Sequence, residues 1–388
     1  MRWGSGGSRV RAATDYATDL NTSSFPATIS KIGPPTYDPR PAYKGRLWAM
    51  GFNISEERFR HILYSDDWGD TWTEWLETVW NTLNPLLHMT TNGDFYFSNN
   101  VGFLRVDGGT KAVALKGTWL PDEYQVSNGG WGFSWLDWPW GEFSDGTILT
   151  GCYALAENRD ILDAEEAPLS AHVIWLSEDD GANWSQNTVL QDKTPRATDH
   201  IQHIHSVHVN PFTDDVWAVV GDNIYSGVYK STDKCETFGD NTEGLADRNT
   251  GLTFTSDSVW LSTDHGYSQN YLKRFNGTSF DKVYTVPLPY GLIPVYWIRA
   301  CGDNEFWTVH YNQDDTDYET HLCKHRRVGN VLELDRDYVL ATNTLNGMNL
   351  KGIAHINGVI PEWSPYVFVH RTEKTDPQSL EGTIRIAR

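Results

Sequence analysis

The stretch "YSDDWGDTWTEW", residues 64 to 75, contains the spaced set Ser65, Asp67, Gly69, Thr71 and Trp72. The same spacing returns in "LSEDDGANWSQN" as Ser177, Asp179, Gly181, Asn183 and Trp184. It returns again in "KSTDKCETFGD" as Ser231, Asp233, Thr237 and Phe238, with Cys235 in the glycine's place. An Asp in a tight turn accepts backbone N–H bonds from residues just ahead of it, a Gly permits positive φ, and a following aromatic packs between layers. The later copies follow short apolar runs, "HVIWL" and "GVYK", so each reads as the tip of a β-hairpin. A chain that repeats one hairpin tip this way is committed to strands.

Aligning the rest of the chain on that hairpin recovers copies with simpler turns. Asp107-Gly108-Gly109, Asn276-Gly277 and Gly329-Asn330 each sit between strand-like runs. Upstream of most copies lies a second hairpin, as in "HVNPFTDDVWAVV", "LTFTSDSVWLS", "IRACGDNEFWTV" and "HMTTNGDFYFS". Two hairpins make a four-stranded unit, and seven such units recur at roughly 40 to 70 residues, the pattern of propeller blades. Ser262, Asp264 and Gly266 mimic the spacing but follow the second strand of their unit, so they read as a loop. The last unit ends on its third strand, "GTIRIAR", and "PATISKI" at 26 to 32 is expected to supply the missing outer strand and latch the ring. The fold class is therefore all-β, a single propeller of four-stranded blades closed by an N-terminal strand. It comprises an extended arm over 1–24 and a propeller over 25–388.

The three aspartate turns resemble the Asp-boxes (BNR repeats) of sialidase-like β-propellers. Those enzymes usually have six blades, which makes six the alternative count. The resemblance stops at the chemistry. Sialidases use three arginines, an Arg-Ile-Pro segment, a Tyr–Glu nucleophile pair and an Asp acid. Here Arg40 in "YDPRPAY" precedes a proline without that motif, and Arg299 and Arg385 are available without a matching third arginine or Tyr–Glu pair. Asp-boxes build a fold and carry no activity across.

"DHIQHIHSVHV" places His200, His203, His205 and His208 within nine positions. On a strand His203 and His205 share one face and His208 takes the other. His88 and His355 recur at the position of His208 in other units, so these three read as packing or hydrogen-bonding elements of the blade. His203 and His205 would sit where a blade's first strand opens onto the channel mouth. Three readings stay open there: a satisfied pair of channel histidines, glycan contact or acid–base use, and ligation of a divalent metal by His203, His205 and His265. Oligogalacturonate lyases are propellers that hold a divalent metal with histidines, and this cluster resembles them locally. Otherwise no cofactor is expected.

Loops opening on the same side carry Asp222 and Tyr225, Asp264, His265 and Tyr267, and Asp314, Asp315 and Tyr318. Strand alignment adds Trp131, Phe133 and Trp135, with Trp297 and Arg299 nearby. Aromatic rings with carboxylates, amides and imidazoles suit sugar recognition, so Trp131, Trp135, His203, His205, Asp222, Asp264, His265, Trp297 and Arg299 form the expected ligand set. As an enzyme, a lyase would use His203 or His205 as base, Tyr225 or Tyr267 as acid and Arg299 to neutralise a uronate.

A net charge of −20 disfavours nucleic acid and anionic lipid as partners, and its Asp-rich balance suits a high-salt setting. No apolar run approaches a membrane span, and the first residues lack a signal-peptide core. Cys152, Cys235, Cys301 and Cys323 are isolated, without C-x-x-C spacing, and read as buried small side chains. The first expectation for function is a non-catalytic glycan- or receptor-binding propeller in a larger assembly. A virion-surface or extracellular subunit of a tailed virus with a salt-loving host fits that expectation, its arm docked on a neighbouring subunit. The alternative is a polysaccharide lyase or glycoside hydrolase.

Overall fold

The structure is a computed structural model. It describes residues 11–12, 17–20, 23–53, 55–56, 58–82, 86–98, 102–118, 131–132, 140–151, 153–154, 174–187, 189–190, 204–220, 227–239, 248–265, 269–287, 295–311, 319–342, 352–356, 360–373 and 380–388. Among these residues the strands form seven sheets of three to five strands and one two-stranded ribbon.

The first sheet holds Ile29–Ile32, Leu47–Asn53, Arg58–Ser65 and Thr73–Thr82, with Thr36–Tyr37 beside Leu47–Asn53. The second holds His88–Met89, Phe95–Ser98, Gly102–Val106 and Val113–Thr118, and the third Trp140–Glu142, Ile148–Gly151, Ile174–Ser177 and Ser185–Asn187. The fourth has Ile204–Val209, Val216–Val220 and Gly227–Ser231; the fifth has Asn249–Thr255, Ser258–Thr263, Tyr271–Phe275 and Phe280–Thr285. The sixth has Val295–Cys301, Glu305–Tyr311, Glu319–Val328 and Val331–Thr342, with Arg11–Ala12 parallel on its outer edge. The seventh has Gly352–Ile356, Tyr366–Glu373 and Leu380–Ala387.

Period-2 alternation lets each sheet bury both faces against its neighbours. Trp48, Met50 and Ile62 of the first sheet pack with Leu87, Phe95 and Phe97 of the second, and Trp297, Trp307 and Leu322 of the sixth pack with Val367, Val369 and Ile386 of the seventh. The ring closes where Phe368 of the seventh sheet joins Leu47 and Leu63 of the first, and Thr383 Oγ1 donates to Ile32 O at 3.3 Å. Sheets packed face to face in a closed circle are a β-propeller. Among the described residues no helix is long and apolar enough to cross a membrane.

The latch differs from expectation. The fourth strand of the seventh sheet is Ala17–Asp19, antiparallel to Leu380–Ala387 with Thr18 opposite Arg385. Residues 26 to 32 instead contribute Ile29–Ile32 to the first sheet, opposite Gly51 to Asn53. Edge pairing is set by long-range register, which a local apolar pattern does not reveal. Residues 17–20, read as part of an extended arm that docks on a neighbouring subunit, pair within the chain's own ring.

The aspartate turns form as the spacing predicts. Asp67 Oδ1 accepts Thr71 N at 2.9 Å, Ser65 Oγ accepts Gly69 N at 2.8 Å, and Trp72 Nε1 donates to Gly69 O at 3.1 Å. Asp179 accepts Asn183 N at 2.8 Å and Asp233 accepts Thr237 N at 2.9 Å. Gly69 and Gly181 take positive φ, and Cys235 does so too, at 68°. Phe238 is buried with Cys235 in the core between the third and fourth sheets.

Candidate functional site

The fourth and fifth sheets meet at the starts of their first strands. His205 Nδ1 bonds the carbonyl of Asn249 at 2.7 Å, across the two sheets. Asn249 pairs with Thr263, and Asp264 N donates to Arg248 O at 2.8 Å. His265 N donates to Asn270 Oδ1 at 2.7 Å, and Thr263 Oγ1 donates to the same oxygen at 3.0 Å. His205, Arg248, Asp264 and His265 therefore share one corner, rigidly held because Asn270 ties the chain on both sides of the turn. A carbonyl can only accept, so His205 carries its proton on Nδ1 and Nε2 is its basic nitrogen. His205 is 1% exposed, whereas Asp264 and His265 are half-buried. Arg248 was not singled out from the sequence, since a lone Arg before a strand carries no signal.

Other expected members fall elsewhere. Trp297 is 2% exposed and packs in the core between the sixth and seventh sheets, so it offers no ring face to a sugar. Arg299 is also buried, with Nη1 donating to Ile298 O at 2.9 Å. Its neighbour Ala300 donates to Thr253 Oγ1 at 3.0 Å, which places Arg299 about 10 Å along the strands from Asn249. Arg299 is thus not beside His205. The first strand of the third sheet is Trp140–Glu142, not the segment around Trp131 to Trp135; Trp131–Gly132 pairs with Tyr153–Ala154 in the separate ribbon. His200, His203, Asp222, Tyr225, Tyr267, Phe133, Trp135, Asp314, Asp315 and Tyr318 lie outside the described residues.

His88 and His208 converge on Trp140 from opposite neighbours. The His88 ring stacks on the Trp140 indole with centroids 5.0 Å apart, and His208 Nδ1 donates to Trp140 O at 3.2 Å. His205 leans on the fifth sheet and His208 on the third, as strand alternation requires. His355 lies in Gly352–Ile356, where only the backbone is described.

Of the metal set His203, His205 and His265, His203 lies outside the described residues, and His205, with Nδ1 bonded to a carbonyl, keeps Nε2 as its acceptor nitrogen. Among the described residues the side chains that can hold an ion lie in the sixth sheet: His310, Cys323 and His325. A thiol with two imidazoles does not suit manganese, which prefers carboxylate and water oxygens.

No family model matches the sequence, and no curated protein matches it. Solved structures do resemble the fold. An oligogalacturonate lyase from Vibrio parahaemolyticus superimposes with a TM-score of 0.58 at 10% identity, covering 98% of this chain and 95% of that one. An oligogalacturonate lyase in complex with manganese gives 0.55 at 9% identity, covering 96% of each. An ulvan lyase of family PL25 gives 0.52 at 12% identity, covering 93% of this chain and 95% of that one. These likenesses establish the propeller over nearly the whole chain. Membership of the sialidase-like superfamily, a virion role and a halophilic host find no support in them.

Proposed function

We propose that the protein is a polysaccharide lyase that cleaves uronate-containing chains by β-elimination. The carrying observation is that His205, Arg248, Asp264 and His265 meet at one corner of a propeller whose full-length structural neighbours include oligogalacturonate and ulvan lyases. In the reaction a base removes the proton α to the uronate carboxylate, the C4–O bond breaks, a C4–C5 double bond forms, and an acid protonates the departing oxygen. His265 is half-buried and serves as the base. His205 positions the strand start through its bond to Asn249, and Arg248 replaces Arg299 as the cation that neutralises the carboxylate. Tyr225 or Tyr267 remains the assigned acid. No step of this reading passes through a metal.

The test is incubation with polygalacturonate and with ulvan, following the ultraviolet absorbance of the new unsaturated end. His265→Ala should lower the rate about 10²–10⁴-fold, the usual contribution of a positioned base. Binding of these polymers without any unsaturated product would overturn the lyase reading in favour of a recognition module.

A further inference from the structure

We propose that the sixth sheet holds a zinc ion bound by His310, Cys323 and His325, independently of the lyase reading. Glu305–Tyr311 and Glu319–Val328 run antiparallel with Thr308 opposite Cys323 and His310 opposite His321. Cys323 lies opposite Asp337 on Val331–Thr342. Alternation sends Val309 and Leu322 into the apolar core and gathers Thr308, His310, His321, Cys323 and His325 on the other face. The fifth sheet covers that face: the Tyr284 ring meets His325 edge-on at 4.8 Å.

His310, Cys323 and His325 are 3%, 6% and 0% exposed, and one donor atom from each lies within 4.8 Å of the others. Cys323 Sγ is 3.7 Å from Asp337 Oδ1. Donors around a tetrahedral zinc sit about 3.3–3.8 Å apart at its usual bond lengths, so closure requires movements of about an ångström.

Two further observations point to an ion. His325 Nδ1 is buried without a hydrogen-bond partner among the described residues. Buried polar atoms are seldom left so, because an unmade bond forfeits their hydration. Thr308 Oγ1 lies 2.8 Å from His310 Nε2 and 2.9 Å from His325 Nε2. The hydroxyl oxygen has two lone pairs, so both rings can donate to it from Nε2. With His325 donating from Nε2, its Nδ1 presents a lone pair, the arrangement of a metal-bound histidine oriented through its second nitrogen.

Charge also balances. Zn²⁺ would displace the Cys323 proton to solvent, and the Asp337 carboxylate, 3.7 Å from the sulfur, adds a second negative charge beside the thiolate. His321 Nδ1 holds that carboxylate at 2.8 Å. Thiolate with imidazole selects zinc over magnesium, calcium or manganese.

The untagged full chain, refolded with zinc and dialysed against EDTA, should retain one zinc per chain by elemental analysis. Cobalt in its place should show a thiolate-to-cobalt charge-transfer band. Cys323→Ala and His325→Ala should each lose the retained metal, while His61→Ala, in the first sheet, should keep it. Wild-type protein that retains no zinc and gives no such band overturns the proposal, even if the variants fail to fold. So does zinc retained undiminished by both variants.

Discussion

The backbone N–H of Cys235 donates to Ser231 Oγ at 2.9 Å, the bond that Gly69 makes to Ser65 and Gly181 to Ser177. Cys235 does this at a φ of 68°, where an L side chain costs about 1–2 kcal/mol. Its thiol offsets that cost by filling the core beside Phe238 and Val216. Cys235→Gly should therefore change the melting temperature little, by the equivalent of about 1 kcal/mol or less in either direction. A loss several times larger would show that the thiol's packing, not the turn, decides the residue.

Gly181 has no such freedom. Its φ is 75°, and a Cβ would lie 1.7 Å from the Tyr96 hydroxyl of the second sheet. Gly277, at φ 104°, has nothing within 4 Å of the added atom. Gly181→Ala should cost about 2–4 kcal/mol, from backbone strain plus overpacking, and Gly277→Ala only about 1–2 kcal/mol. Calorimetry on the pair checks this; equal losses would mean that contact between the sheets contributes nothing.

Acid should weaken the ring through His88. Burial beneath Trp140 pushes its imidazole down to about 3, and His208 adds repulsion to the charged form. The unfolded chain takes up this proton below about 6.5, while the native fold refuses it until about 3. Stability from this group is complete above about 6.5 and falls as pH drops, by about 1.4 kcal/mol per pH unit. Denaturant titrations at pH 7, 6, 5 and 4 should show a slope reduced by about one proton in His88→Leu. An unchanged slope would place the acid sensitivity elsewhere.

Interactions within a few residues were legible in the sequence, and those set by distant register were not. The Ser65–Asp67–Gly69 turn closes over five residues, so spacing alone predicts it. Opposite faces for His205 and His208 likewise follow from period two. Trp140 sits in a run with Trp131, Trp135 and Trp138, and nothing local says which of them begins a sheet. The depth of Arg299 depends on how its strand is staggered against Asn249–Thr255, which only the packed pair determines. His310, Cys323 and His325 look like ordinary strand alternation until two strands are laid side by side.

Asp257 clamps the fifth sheet to the sixth. Arg327 Nη1 and Nη2 reach its two oxygens at 2.7 and 2.6 Å, and Arg274 adds a third contact at 3.2 Å. The Arg327 bond in particular holds this carboxyl well below the usual range, although the side chain is 46% exposed. Solvent screening limits the gain, so Asp257→Asn should cost about 1 kcal/mol at low salt. The difference from wild type should shrink in molar salt, where the Debye length falls to about 3 Å. A salt-independent difference would argue for packing rather than charge.

Leu20 contributes to closure of the ring. It is fully buried, and its methyls lie 3.1–3.3 Å from where a Cβ on Gly69 would sit, at the aspartate turn of the first sheet. It follows directly on Ala17–Asp19, the outer strand of the seventh sheet. The same turn is tied by Ser23 Oγ to Gly69 O at 2.5 Å and by Arg385 Nη1 to Trp68 O at 2.7 Å, so Leu20 sits among the contacts that join the two ends of the ring. Leu20→Ala should cost about 2–5 kcal/mol, as a cavity in a closed core does. Deleting residues 1–20 should cost at least as much, because it also strips the last sheet of its fourth strand. Limited proteolysis followed by mass spectrometry should then find first cuts in residues 380–388. If the truncated chain melts and digests like the intact one, the latch does not hold the propeller shut.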